Sequence, residues 1–187
     1  MQMENAHATK NEINLRRIRE DDLLEIFNAR NDPDIYKWCR QTSPLHWNDH
    51  VRWYERQSSD PSLDMFAIEH CETTFFTWEL IGVTGLTSID LQNGNAEFSC
   101  YIFPEEQGKG YAKKALKSLF NHGFNSLGLH LIWGETFDGN KALSLFMDHL
   151  GMNKDAIRRE FYFRDGKWID SILVSITSDE WKKHVAI

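Results

Sequence analysis

Cysteine, long apolar runs and positive charge are all scarce in this chain. Among 187 residues only Cys39, Cys71 and Cys100 are cysteines. They are too scattered for a CxxC pair or a zinc-ribbon spacing, and an odd, sparse count suits a reducing compartment better than a disulfide scaffold. No apolar stretch approaches the roughly 20 residues needed to cross a bilayer. The first residues, Met1 to Asn11, are polar, and no signal peptide is expected in them. A cytoplasmic, membrane-free protein is expected. Lys and Arg total 21 against 28 Asp and Glu, a formal net charge of −7, which argues against binding nucleic acid or anionic lipid. No P-loop or HExxH pattern occurs. His46 and His50 stand four apart with no third ligand, so no metal is expected.

What is present is core material. Hydrophobic residues make up 41% of the chain, including 12 Phe and 7 Trp, enough for a real interior at this length. Residues 1–12 are expected to be a disordered tail and 13–187 a single domain. Ile13–Ile18 alternates like a strand. Asp21 and Asp22 introduce a helical run through Phe27, and Pro33 opens a short helix to Arg40. Ser43-Pro44 predicts the start of another helix, with Trp47, Val51 and Tyr54 on one face. Strands follow at Met65–Ile68, Glu79–Ser88 and Ala96–Phe103, the last two joined by the turn Gln92–Asn95. A helix from Gly110, a strand at Leu129–Phe137 and a helix over Ala142–Leu150 come next, with Gly151 as the helix stop. Arg159–Arg164 and Trp168–Thr177 form a hairpin around Asp165-Gly166. This order predicts one α+β domain.

The most informative stretch is Gln107-Gly108-Lys109-Gly110-Tyr111-Ala112, where a strand ends in Pro104, a glycine turn follows and a helix begins. Two glycines let backbone amides converge on an anion at a helix N-terminus. By themselves they fit an ordinary tight turn better. A dinucleotide fingerprint is excluded because its third glycine position is Lys113. The hexapeptide resembles the Q/R-x-x-G-x-G/A signature of the GNAT superfamily of acetyl-CoA-dependent N-acetyltransferases. The preceding Ala96–Pro104 resembles that family's strand, and Asn140 followed by Gly151 resembles its N…lG[FM] helix. Asp165–Asp170 with Glu180-Trp181 resembles the branch of ribosomal-protein alanine acetyltransferases.

The resemblance implies a central, mostly antiparallel twisted sheet of about seven strands flanked by helices. It implies acetyl-CoA as cosubstrate, with its pyrophosphate on Gln107, Gly108, Lys109, Gly110, Tyr111, Ala112 and Lys113. Pantetheine would lie along Tyr101, Ile102 and Phe103, with Asn140 touching it or capping its helix. Acetyl transfer to an amine needs a base and an oxyanion donor but no thiol nucleophile. Glu97 is the candidate base, sharing a strand face with Ser99 and Tyr101, or it is an exposed strand glutamate. Glu135 is a second carboxylate that would assist or bind the amine. The family's acid tyrosine has no counterpart, since that position is Met147.

Arg30, Asn31 and Trp38 are candidate acceptor ligands, in a region that also holds Arg40, Gln41 and Arg52; a helix end with a core Trp is the plainer account of it. The expected activity is acetylation of a primary amine on a small molecule, such as an amino sugar or polyamine, by direct transfer in a ternary complex. Acetylation of a protein N-terminus and acyl-CoA binding without catalysis are the alternatives. A monomer or homodimer is expected.

Overall fold

The computed structural model describes residues 12–41, 43–57, 59–72 and 77–186. The expected tail, apart from Glu12, lies outside the described residues. The chain begins with β1 (Ile13–Arg17), a 3-10 turn (Glu20–Asp22), α1 (Leu23–Asn31), α2 (Pro33–Tyr36) and α3 (Trp47–Gln57). β2 (Asp64–Glu72), β3 (Thr77–Asp90) and β4 (Asn95–Ile102) come next, then α4 (Tyr111–Asn121) and β5 (Leu131–Phe137). A short α5 (Ala142–Ser144) runs into a π turn (Leu145–His149), followed by β6 (Asn153–Arg164), β7 (Lys167–Thr177) and α6 (Ser178–Val185).

The seven strands form one sheet in the order β1-β2-β3-β4-β5-β7-β6. Every pairing is antiparallel except β4 with β5. The expected mostly antiparallel sheet of about seven strands is therefore present. Local chemistry explains the hairpins. Asp165 and Gly166 both have positive φ, 49° and 77°, as a two-residue turn between twisted strands demands. Asp90 closes the β3–β4 turn by accepting from the Asn93 amide at 2.9 Å.

β4 divides the interior by its alternation. Ala96 and Phe98 enter a core with Leu116, Leu119 and Phe120 of α4, and Trp181 of α6. Ile102 packs with Tyr111 and Ala115. The other face of the sheet meets α1 through Ile26, Ala29, Met65 and Val83. No helix among the described residues is long and apolar enough to cross a membrane.

Two expectations about helices need correction. α3 starts at Trp47, three residues after Pro44, because Asn31 at the end of α1 holds both polar groups of the Leu45 backbone, at 2.7 and 3.3 Å. Its buried side is centred on His50, while Trp47 is 41% exposed. α6 is a helix absent from the sequence-based order. Its N-terminus is a capping box in which Thr177 and Glu180 bond each other's backbone amides.

Candidate active site

β4 and β5 pair only at Asn95–Glu97 against Leu131–Trp133. Beyond that point β4 continues to Ile102 bonded to β3 alone, and β5 continues to Phe137 bonded to β7 alone. The two facing edges therefore splay apart and leave backbone groups unladdered along a gap. The glycine turn follows the end of β4. Gln107 ties it to the strand by donating its amide N–H to the Ile102 carbonyl at 3.0 Å.

Gly108 and Gly110 have φ of 77° and 83°, and an added Cβ at either would meet nothing within 4 Å. Gly110 is the N-cap of α4 and provides no side-chain cap. The turn is thus an open cradle in front of a helix N-terminus, which suits an anion. Lys109 pairs with Glu106 at 2.8 Å, and that hydrogen bond raises its pKa. Lys113 has its Nζ 3.5 Å from His149 Nδ1. On β5, Thr136 is buried with its hydroxyl unpartnered among the described residues, a polar group left over on a strand that borders the gap. Asn140 accepts from the Ala142 amide at 3.0 Å, a local cap.

The two carboxylates picked out in the sequence are brought together. Glu97 stands opposite Trp133, and Glu135 is two residues farther on the same face of β5. Arg40 bridges them. Its guanidinium is paired with Glu97 through both nitrogens, with Nη1 to Oε2 at 3.3 Å, and with Glu135 through Nη2 to Oε2 at 2.8 Å. Burial works against the Arg40 charge, but the two carboxylates outweigh it and raise its pKa. Glu135 also accepts from Ser171 and from the Tyr162 hydroxyl, 3.3 Å from each carboxylate oxygen, with Arg158 at 3.5 Å. Burial, with the Glu135 charge adding, raises the Tyr162 pKa and keeps the phenol protonated at neutral pH. The loop carrying Arg40 is anchored by Arg164 on the β6–β7 hairpin, which donates to the Cys39 and Arg40 carbonyls, each at 3.0 Å.

Beside this cluster, on the Ser99 and Tyr101 face of β4, lies a cavity of about 250 Å³. Ile26, Trp53, Met65 and Val83 form its apolar wall, and Arg30, Asp49 and His50 supply polar groups. Arg30 lines it, but its nitrogens are engaged by Gln41 at 2.8 Å and the Cys39 sulfur at 3.0 Å, and its guanidinium lies 5.4 Å from the Tyr101 ring centroid. Asn31 is committed to Leu45. Trp38 is 39% exposed and does not line the cavity. Arg52 pairs with Asp49. The region's arginines are thus partnered within the chain, which leaves little for an acceptor's phosphate.

The His46–His50 pair makes no metal site. His50 is buried with its Nε2 3.0 Å from the Leu23 carbonyl and its ring stacked on Trp53. Among the described residues no group of three His, Cys, Asp or Glu side chains is placed to hold a metal ion. Cys100 lies on the opposite face from Glu97, and desolvation pushes its thiol up to about 12. A thiol so protonated is a poor nucleophile at neutral pH.

Comparison with known proteins fits this geometry. The family model described as an acetyltransferase (GNAT) domain matches residues 12–153. An uncharacterized N-acetyltransferase of Bacillus licheniformis is 27% identical over 90% of this chain and 94% of its own length. The [ribosomal protein uS5]-alanine N-acetyltransferase of Escherichia coli is 25% identical over 55% of this chain and 54% of its own. The crystal structure of the Vibrio cholerae spermidine N-acetyltransferase, in complex with CoA and spermine, superposes with a TM-score of 0.83. That chain is 25% identical, and the match covers 91% of this chain and 98% of that one.

Proposed function

The chain belongs to the GNAT acetyltransferase family, and we propose that this acetyl-CoA-dependent N-acetyltransferase acts on a primary amine of a small polycation of the spermidine class. The observation that carries the acceptor class is the pair Glu97 and Glu135, two adjacent, largely buried carboxylates with a cation between them. A cationic amine has the charge such a pair requires. The likeness to a spermidine acetyltransferase supports the same reading.

Acetyl-CoA supplies the activated acyl group. The amides of the Gln107–Ala112 turn would hold its pyrophosphate, and the gap-facing edge of β4 at Tyr101 to Phe103 would take the pantetheine, with the Ile102 carbonyl already held by Gln107 and the Phe103 amide by Ile81. Glu97 accepts the proton the ammonium must lose, and Glu135 holds the amine in register. With Cys100 protonated and facing away, the amine attacks the thioester carbonyl directly, the C–S bond breaks and CoA leaves as its thiolate. His50, whose pKa is lowered by burial and by Arg30, is neutral at pH 7 and does not repel a cation from the adjoining cavity.

The test is release of free thiol from acetyl-CoA in the presence of spermidine, a neutral-bodied amino sugar, and a peptide with an N-terminal alanine. Turnover with spermidine at the highest kcat/KM is the expected result. A preference for the peptide would move the assignment to protein N-termini, and thiol release with no acceptor of the panel would refute it.

A further inference from the structure

The Arg40 guanidinium occupies the space between Glu97 and Glu135 that the acceptor's ammonium needs. We propose that Arg40 is a built-in competitor, a tethered cation that the incoming amine displaces from the carboxylate pair, and so a residue that sets the affinity for cationic acceptors. The inference rests on the reading of Glu97 and Glu135 as the amine subsite.

Three observations carry it. The carboxylates are covered while the cation is not. The side chains of Glu97 and Glu135 are 12% and 5% exposed, whereas that of Arg40 is 49% exposed. Solvent, and anything arriving from it, meets Arg40 before it meets the acids. The second is anchoring. Arg164 and the Arg30–Gln41 pair hold the loop through the carbonyls of Cys39 and Arg40 and the side chain of Gln41, not through the Arg40 guanidinium. The side chain can therefore swing out while the loop stays. The third is charge. Two carboxylates this buried are unfavourable without a positive partner. An ammonium that replaces the guanidinium keeps the pair compensated, but a neutral or anionic acceptor leaves it uncompensated. The arrangement selects for cations and weakens their binding by the interactions that Arg40 must surrender.

Calorimetric titration of spermidine into the protein saturated with CoA, which cannot react, measures this directly. Arg40→Ala is expected to tighten spermidine about tenfold, which is about 1.4 kcal/mol, to lower KM to a similar extent, and to leave CoA affinity unchanged. Glu97→Gln and Glu135→Gln are expected to weaken spermidine. Arg40→Lys, which keeps a cation, is expected to bind spermidine nearer to the unmodified protein than to Arg40→Ala. If the two glutamine variants weaken spermidine but Arg40→Ala leaves it unchanged or weaker, the competitor role is wrong and the subsite stands. If neither glutamine variant alters spermidine affinity, the subsite is wrong and the competitor role falls with it.

Discussion

Among the described residues the same triad, an arginine between two carboxylates, occurs twice, and burial separates the two. Arg16 on β1 holds Asp22 at 2.6 and 2.8 Å through two nitrogens and Glu69 on β2 through a third. Its side chain is 14% exposed, and its partners 9% and 10%. Arg40 holds carboxylates as buried as those but is itself half open to solvent. In the first triad all three members belong to regular elements or their caps, and the group closes the junction of β1, β2 and the start of α1. In the second the acids sit on strands and the base on a loop. A sealed triad has no partner to exchange and serves the fold. An open one with buried acids has the form that the proposed amine subsite requires.

The largest expected effect comes from breaking the sealed triad. Arg16→Ala strands two buried carboxylates, and removal of one partner from such a group costs about 3–5 kcal/mol. For a chain of this size that lowers Tm by on the order of 10 °C. Arg40→Ala should cost less than Arg16→Ala, because loss of the half-exposed guanidinium lets water reach the carboxylates and Glu135 retains Tyr162, Ser171 and Arg158. Urea unfolding of both variants decides it, and equal losses would erase the distinction between the triads.

The acid side of the same experiment has a definite sign. Burial alone would raise the Asp22 pKa. The hydrogen bonds from Arg16 and the Arg19 amide reverse this and bring it below the usual value. A carboxylate with a lowered folded pKa contributes stability above its unfolded value, near 3.9, and loses it as the pH falls through the folded one.

Next in size are two variants that separate the cosubstrate side from the acceptor side. Gly110→Asp places a Cβ at φ of 83° and a negative charge at the N-terminus of α4. Strain and repulsion together should weaken CoA by about a hundredfold or more and leave the Arg40 triad intact. Unchanged CoA affinity by calorimetry would remove the cradle from the site. Glu97→Gln should lower kcat by about a hundredfold, the lower end for loss of a general base. The deficit should shrink as the pH rises toward the amine's own pKa. A rate equal to that of the unmodified protein at every pH would leave Glu97 as a binding group only.

Much of the fold was legible because its signals are local. Asp165-Gly166, Gln92 to Asn95, and Gly108 with Gly110 each state a backbone conformation within a few residues, and the structure places a turn at each. α6 had an equally local signal, the Thr177–Glu180 box, that strand-like periodicity in β7 obscures. The carboxylate pair was half legible. Alternation assigns Glu97 a face of its strand, shared with Ser99 and Tyr101, but only the family resemblance implies that this strand and that of Glu135 are neighbours that splay apart. Arg40 was visible only as one of several arginines near a helix end. Its partners lie 57 and 95 positions away, and its loop is anchored by a residue 124 positions away. Separations of that size are set by topology and leave no periodic trace. The same distance effect misplaces the start of α3, since Ser43-Pro44 is a sound helix opening that Asn31 overrides.

The smallest expected effect concerns His50, the histidine among the described residues of the cavity wall. Burial lowers its pKa, Arg30 lowers it further, and the bond to the Leu23 carbonyl only partly compensates. For a histidine with a lowered folded pKa the unfolded chain binds the extra proton first. Its contribution is therefore complete above the unfolded value of about 6.5 and declines as the pH falls from there to the folded value. His50→Gln keeps a donor for the carbonyl and removes the titration. The urea midpoint of the unmodified protein should fall on acidification below pH 6.5, and that of the variant should fall less. The functional counterpart follows from position, since Asp49 and Arg30 face the same cavity. Protonated His50 adds a second positive charge beside Arg30, so KM for spermidine should rise on acidification in the unmodified protein and more weakly in His50→Gln. Parallel pH profiles for the two proteins would show that the cavity lies apart from the path of the cation and that the Arg40 triad alone governs acceptor affinity.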